Sequence, residues 1–189
     1  MGKRTVAFVQ QTTVSAAIPV GQGRNSVATV AIVKPGLGYL AGDILTVSGG
    51  TEVAGFKARL LVKSVDQNGG ILAVDIHRDG NGQGPGWYTT NPTNPVSHTG
   101  GTGSGATFTL TYNSNVPPPG ANSCTIEAEA QVVRYRGDGV APTATIGEQL
   151  LVKAAGVPPL ELVGVGAMRN MQFIEAVGGA KLDIEFFKN

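Results

Sequence analysis

Residues 30–62 read VAIVKPGLGYLAGDILTVSGGTEVAGFKARLLV, and residues 74–112 read VDIHRDGNGQGPGWYTTNPTNPVSHTGGTGSGATFTLTY. The two stretches share one pattern. Each runs from a β-branched strand through a Gly-rich turn to an aromatic landmark, Tyr39 and then Tyr88. Each then has a second apolar run, a Gly-Gly-Thr turn and a closing strand. Gly49-Gly50-Thr51 answers Gly100-Gly101-Thr102, and Phe56 is matched to Phe108. An internal repeat constrains architecture more than any single motif does, and two copies are too few for a solenoid. The pattern therefore predicts a duplicated small antiparallel β unit that packs against itself. Between the copies, Asn68-Gly69 is flanked by apolar strands. Both residues tolerate positive φ, so they predict a hairpin joining copy to copy.

Working outward, four segments are expected. Residues 1–29 form an extended N-terminal arm, 30–113 the duplicated β domain, 114–123 a Pro-rich linker, and 124–189 a C-terminal β-sandwich or jelly-roll-like domain. The arm is small, polar and punctuated by Gly and Pro, with a short strand signal at Thr5-Val6-Ala7-Phe8-Val9. Ordering it costs about 1–2 kcal/mol of backbone entropy per residue. It is expected either to be loose or to add a strand to a neighbouring chain's sheet edge. Three successive prolines, Pro117-Pro118-Pro119, favour a stiff spacer. In the C-terminal segment Leu182, Ile184 and Phe186 alternate along the longest apolar face, which predicts a central strand. Glu148 to Ala155 could make a helical turn, stopped by Gly156 and Pro158-Pro159. The fold class is all-β.

Composition narrows the function. The 28 Gly and 11 Pro are about a fifth of the 189 residues, and they sit between strand-like runs as turn punctuation. Charged residues are only 14%, against roughly 25% in ordinary soluble domains. Mutual charge repulsion keeps proteins apart, so so few charges suit a chain that works inside an assembly. A net charge of +1 excludes the broad positive field that whole-surface nucleic-acid binding needs. Cys124 is the single cysteine, so neither an internal disulfide nor a cysteine-rich metal site is available, and a buried apolar role is expected. No apolar run approaches the ~20 residues that span a bilayer. The N-terminus also lacks a signal peptide's apolar core, so no membrane association or secretion by that route is expected.

Candidate chemistry is sparse. Gly36-Leu37-Gly38-Tyr39-Leu40-Ala41 loosely matches a dinucleotide fingerprint, but a strand follows where that motif needs a helix, so a turn is expected. His77 between Asp75 and Asp79 could place three ligands on one strand face. The downstream glutamate of a calcium loop is missing, and the expectation is no metal. Arg136-Gly137-Asp138 spells an adhesion tripeptide but fits a turn. Trp87 with Tyr88 could form an exposed stacking platform for a sugar, or the plug of the β unit's open end, the favoured reading. No nucleophile–base set can be argued from spacing, so neither catalysis nor a cofactor is expected.

The phrases GYLAGDILTVSGGT and WYTTNPTNPVSHTGGTGSGATFTLTY resemble a repeat module common in virion proteins of tailed bacteriophages. The C-terminal phrases AEAQVVRYRGDGVAPTATIGEQL and ELVGVGAMRNMQFIEAVGGAKLDIEFF are similar to a small phage structural domain. The loop at residues 80–86 departs from the module by its length. The resemblance implies a non-enzymatic virion protein. On this reading it is a capsid decoration, or cement, protein on the capsid surface that bridges the major capsid protein, as a homo-oligomer with a trimer favoured. The alternative is a tail fibre, spike or head-fibre component that binds a host receptor or glycan. No direct nucleic-acid contact is expected. Partner-binding residues are expected in the arm (Lys3, Arg4, Phe8, Arg24) and at the loop end (Trp87, Tyr88).

Overall fold

In a computed structural model of the chain, the structure describes residues 4–11, 18–19, 24–78, 84–154 and 157–188. The fold is all-β, with strands forming four four-stranded sheets. The chain divides into two compact units, Arg24–Ser114 and a discontinuous one built from Met1–Gly23 with Asn115–Asn189. The first two strands, β1 (Arg4–Gln11) and β2 (Ile18–Pro19), thus belong with the C-terminal half.

The continuous unit contains eight strands: β3 (Asn25–Lys34), β4 (Ile44–Val47), β5 (Thr51–Glu52), β6 (Arg59–Val65), β7 (Ile71–Ile76), β8 (Tyr88–Thr90), β9 (His98–Thr99) and β10 (Thr107–Ser114). The two sequence copies supply four strands each, but neither copy forms its own sheet. The sheets run β10-β3-β8-β5 and β7-β6-β4-β9, and both feed one core. The first strand of each copy pairs with the last strand of the other, β3 with β10 and β7 with β6. At β4–β9, Val47 pairs directly with His98, the residues that hold the same place in LTVSGGT and VSHTGGT. Local pseudo-two-fold symmetry therefore passes between these two residues.

The register of the closing strands follows from the cross-strand partners. Leu45 opposes Leu60, and Val96 bridges to Phe108. Ala58, Leu60 and Val62 of one copy then match Ala106, Phe108 and Leu110 of the other, and all six are buried. The sequence match of Phe56 to Phe108 is corrected accordingly. Phe56 lies two residues before Ala58, where the other copy has Ser104. Period-two burial sets register, and an aromatic can recur off register because any core position admits one.

The two tyrosines show the exchange most directly. The Tyr39 hydroxyl accepts the Ala106 N–H at 3.2 Å, and the Tyr88 hydroxyl accepts the Ala58 N–H at 2.7 Å. Each landmark reaches across to the residue that leads into the closing strand of the other copy. The expected β6–β7 hairpin forms, with only Gly69 at positive φ (+74°). The Asp66 carboxylate accepts the Asn68 and Gly70 N–H groups and holds the turn.

The discontinuous unit adds β11 (Ser123–Ala128), β12 (Val133–Arg136), β13 (Glu148–Leu150), β14 (Leu160–Val163), the helix α1 (Val165–Asn170), β15 (Gln172–Glu175) and β16 (Leu182–Lys188). Its sheets run β1-β16-β11-β14 and β13-β12-β15-β2, and they share a core of Cys124, Ile126, Val133, Phe173 and the β16 residues Leu182, Ile184 and Phe186. The strand β16 is central, as its alternation predicts.

Three sequence expectations are altered here. The segment read as an arm contains β1, an edge strand paired antiparallel along β16 of the same chain. Eight strand residues satisfy backbone groups on an open edge, which offsets the ordering cost that made the arm look loose. Glu148–Leu150 is a strand beside β12, not the start of a helical turn. The helix that does form, α1, opens at Gly164 without a side-chain cap and carries the fully buried Met168, so packing and not propensity sustains it. Pro117, Pro118 and Pro119 are buried, and the Ala121 N–H bonds the Pro118 carbonyl, so the proline run is packed and is not a bare spacer.

Candidate functional site

The six residues expected to bind partners do not converge. Lys3 lies outside the described residues. Arg4 opens β1 opposite Lys188, and Phe8 on the same strand is 59% exposed. Arg24 is half-buried, with its guanidinium 5.0 Å from the Trp87 ring centroid, and burial lowers its pKa. Trp87 and Tyr88 are 1% and 0% exposed, so neither presents a face to a partner. Trp87 meets Phe56 edge to face, with ring centroids 6.4 Å apart. The stacking-platform reading is thereby corrected in favour of the plug: two large aromatics gain more from burial than from water.

The remaining motifs resolve locally. Gly36, Gly38 and Gly42 adopt positive φ (+63°, +78° and +98°), and β4 follows, so this loop makes turns and no phosphate-binding helix. Arg136 donates to the Asp138 carboxylate through Nε and Nη2, and Asp138 also accepts the Val140 N–H. The charges of the adhesion-like tripeptide thus engage each other beside an open groove of about 510 Å³. His77 and Asp75 are described, while Asp79 lies outside the described residues. No cluster of three or more metal-ligating side chains occurs among the described residues. Cys124 is fully buried, and burial pushes its thiol up to about 12, so it is no nucleophile at neutral pH.

A second groove, of about 400 Å³, opens in the continuous unit along β9, the 100–105 loop and the start of β10. Ser97, His98, Thr99, Ser104 and Thr107 line it with the loop glycines. His98 packs between Tyr39 and Phe108, with ring centroids at 5.6 and 5.9 Å, and its Nε2 lies 2.8 Å from the Tyr39 hydroxyl. The Asp43 carboxylate anchors the loop by accepting the Thr102 N–H, the Thr102 hydroxyl and the Leu40 N–H, at 2.8–3.0 Å. These bonds, the Thr102 N–H foremost, hold the Asp43 pKa below the ordinary carboxylate value. His98 and Thr107 were not among the sequence candidates. The usable signal was the substitution of His98 for Val47 inside otherwise matching repeats.

No family model, no curated protein and no solved structure matches this chain.

Proposed function

We propose that the chain is a non-enzymatic structural protein of a tailed-bacteriophage virion, a decoration protein that cements the head by bridging subunits of the major capsid protein. The observation that carries this reading is the edge strand β1. It occupies the outside of its sheet, and its eight residues, RTVAFVQQ, include one charge. Proteins ordinarily blunt an exposed edge with charges, proline or a covering segment. A long, nearly uncharged edge with the apolar Phe8 exposed suits strand addition by a partner, in which backbone hydrogen bonds supply affinity and side chains supply selectivity. Low overall charge and resemblance to phage virion phrases support the same assignment. Attachment adds roughly 25 cal/mol per Å² of apolar surface buried, before association costs. Modest contacts repeated over a shell therefore add up, and a homo-oligomer, with a trimer favoured, multiplies them further.

Deleting residues 1–25 would not test this, since it removes β1 from its own sheet and Asn25 from β3. The test is Phe8→Asp, assayed by co-sedimentation with phage heads. Binding is expected to fall sharply while the far-UV spectrum and Tm stay unchanged; undiminished binding sinks the attachment role. Densitometry of purified virions checks location: a copy number in proportion to the capsid subunits is expected, and a count matching a tail's few fibres overturns the head assignment. The fibre alternative places a receptor-binding tip at residues 80–88; Trp87 and Tyr88 are buried, so these two side chains would not supply its contact.

A further inference from the structure

The two halves of the continuous unit share strands, tyrosines and glycine turns, yet they differ around one groove. In one half Trp87 precedes the tyrosine and Phe56 stands two residues before the buried alanine, and these aromatics fill the site. In the other half the same places hold Gly38 and Ser104, and the groove of about 400 Å³ is open. The residue on the pseudo-two-fold is Val47 in the closed half, 1% exposed, and His98 in the open half. The closed half shows that the fold is satisfied by an apolar side chain at this position.

The imidazole is set for one task. The Tyr39 hydroxyl accepts the Ala106 N–H and has one proton of its own to donate, which we assign to His98 Nε2 at 2.8 Å. Neutral His98 then carries its hydrogen on Nδ1, which makes that nitrogen a donor. Nδ1 is closed off from water and has no hydrogen-bond partner, and the same is true of the Thr107 Oγ1. Buried polar groups normally find partners, and the two residues that carry these unpaired atoms both line the groove. The lining carries the hydroxyls of Ser97, Thr99, Ser104 and Thr107, and neither a carboxylate nor a lysine or arginine. Its volume falls within the roughly 300–1,000 Å³ of small-ligand sites.

We propose that this groove binds an uncharged polyhydroxyl ligand, a sugar residue, with His98 Nδ1–H donating to a ligand oxygen and the Thr107 hydroxyl completing the contact. Both atoms are sheltered in the empty groove, so a ligand reaches them only if the 100–105 loop gives way at its Thr102–Asp43 anchor. The site is independent of the capsid assignment, since neither head attachment nor copy number enters the argument for it.

The test is an NMR titration of the full chain with D-glucose, D-galactose and N-acetylglucosamine, with sodium acetate as the anionic comparison. Saturable shifts of the Gly101, Gly103 and Ser104 amides and of the His98 imidazole are expected with at least one sugar. His98→Val, which installs the residue of the closed half, should retain the fold and bind at least about tenfold more weakly, a difference of about 1.4 kcal/mol. Ser104→Phe, which restores the plug, should abolish binding, and it serves alone if His98→Val does not fold. No saturable shift with any of the three sugars overturns the proposal, as does unchanged affinity in both variants. Saturation by acetate alone overturns the uncharged-ligand assignment.

Discussion

The closed and open halves of the duplicated unit start from the same local sequence pattern and end with different surfaces. Around Tyr88 the space is filled by Trp87, Phe56 and, over the indole, Arg24. Around Tyr39 it is left to glycines, hydroxyls and His98. The hydrogen bond that fastens each tyrosine to the opposite copy is kept in both halves. Duplication gave the unit two equivalent seats, of which the core needs only one filled with aromatics. The other is free to carry polar groups.

The largest test of this comparison is Trp87→Ala. Loss of a fully buried indole should cost about 3–5 kcal/mol in urea denaturation. A loss under about 1 kcal/mol would show that the closed half is not a structural plug. Next comes Tyr88→Phe, which strands the buried Ala58 N–H and should cost about 1–3 kcal/mol. The matching Tyr39→Phe change should couple to His98→Val in a double-mutant cycle by about 0.5 kcal/mol or more, since both remove one hydroxyl–imidazole bond.

Exchanging the two axial residues sharpens the contrast. Val47→His forces a larger, polar side chain into a filled core and should destabilise by about 1–3 kcal/mol. His98→Val should stay within about 1 kcal/mol of the parent, because it trades an unpaired donor for a lost hydrogen bond. Equal costs for the two changes would erase the distinction between the halves.

The smallest effect is alkaline. Burial, and after it the neighbouring Tyr88, pushes Tyr112 up to about 12 from its ordinary value of 10.0. The folded state therefore favours the neutral phenol. This contribution is full below pH 10 and is lost as pH rises through about 12. Tyr112→Phe should flatten the fall of the urea midpoint between pH 10 and 11.5 by a modest fraction, and an unchanged slope would remove Tyr112 as a contributor. The remaining slope includes Tyr88, which burial also raises, and Cys124 in the other unit, pushed to about 12.

Much of this architecture is legible in the sequence because its signals are local. The Asn68-Gly69 turn and the inward residues of β16 follow from φ tolerance and a period of two. The copies are visible for the same reason. The partner of β1 is not, since the edge of β16 lies more than 170 residues away along the chain. The fate of Trp87 was equally hidden. A tryptophan beside glycines reads as either plug or platform until its neighbour Phe56 is known.

The candidate groove was hidden more deeply. In the sequence Phe56 and Phe108 look like counterparts, and that match hides the difference between the halves. Only the pairing of Leu45 with Leu60, and of Val96 with Phe108, moved the register and put Ser104 where Phe56 should have its counterpart. By itself, then, the sequence determined the all-β class, the duplication and the turns, because steric limits on φ and side-chain alternation act over a few residues. The tertiary structure alone decided which strands pair, that the copies exchange closing strands, and which tyrosine has an imidazole beside it. Those choices depend on contacts between residues far apart in the chain, whose free energy no local pattern records.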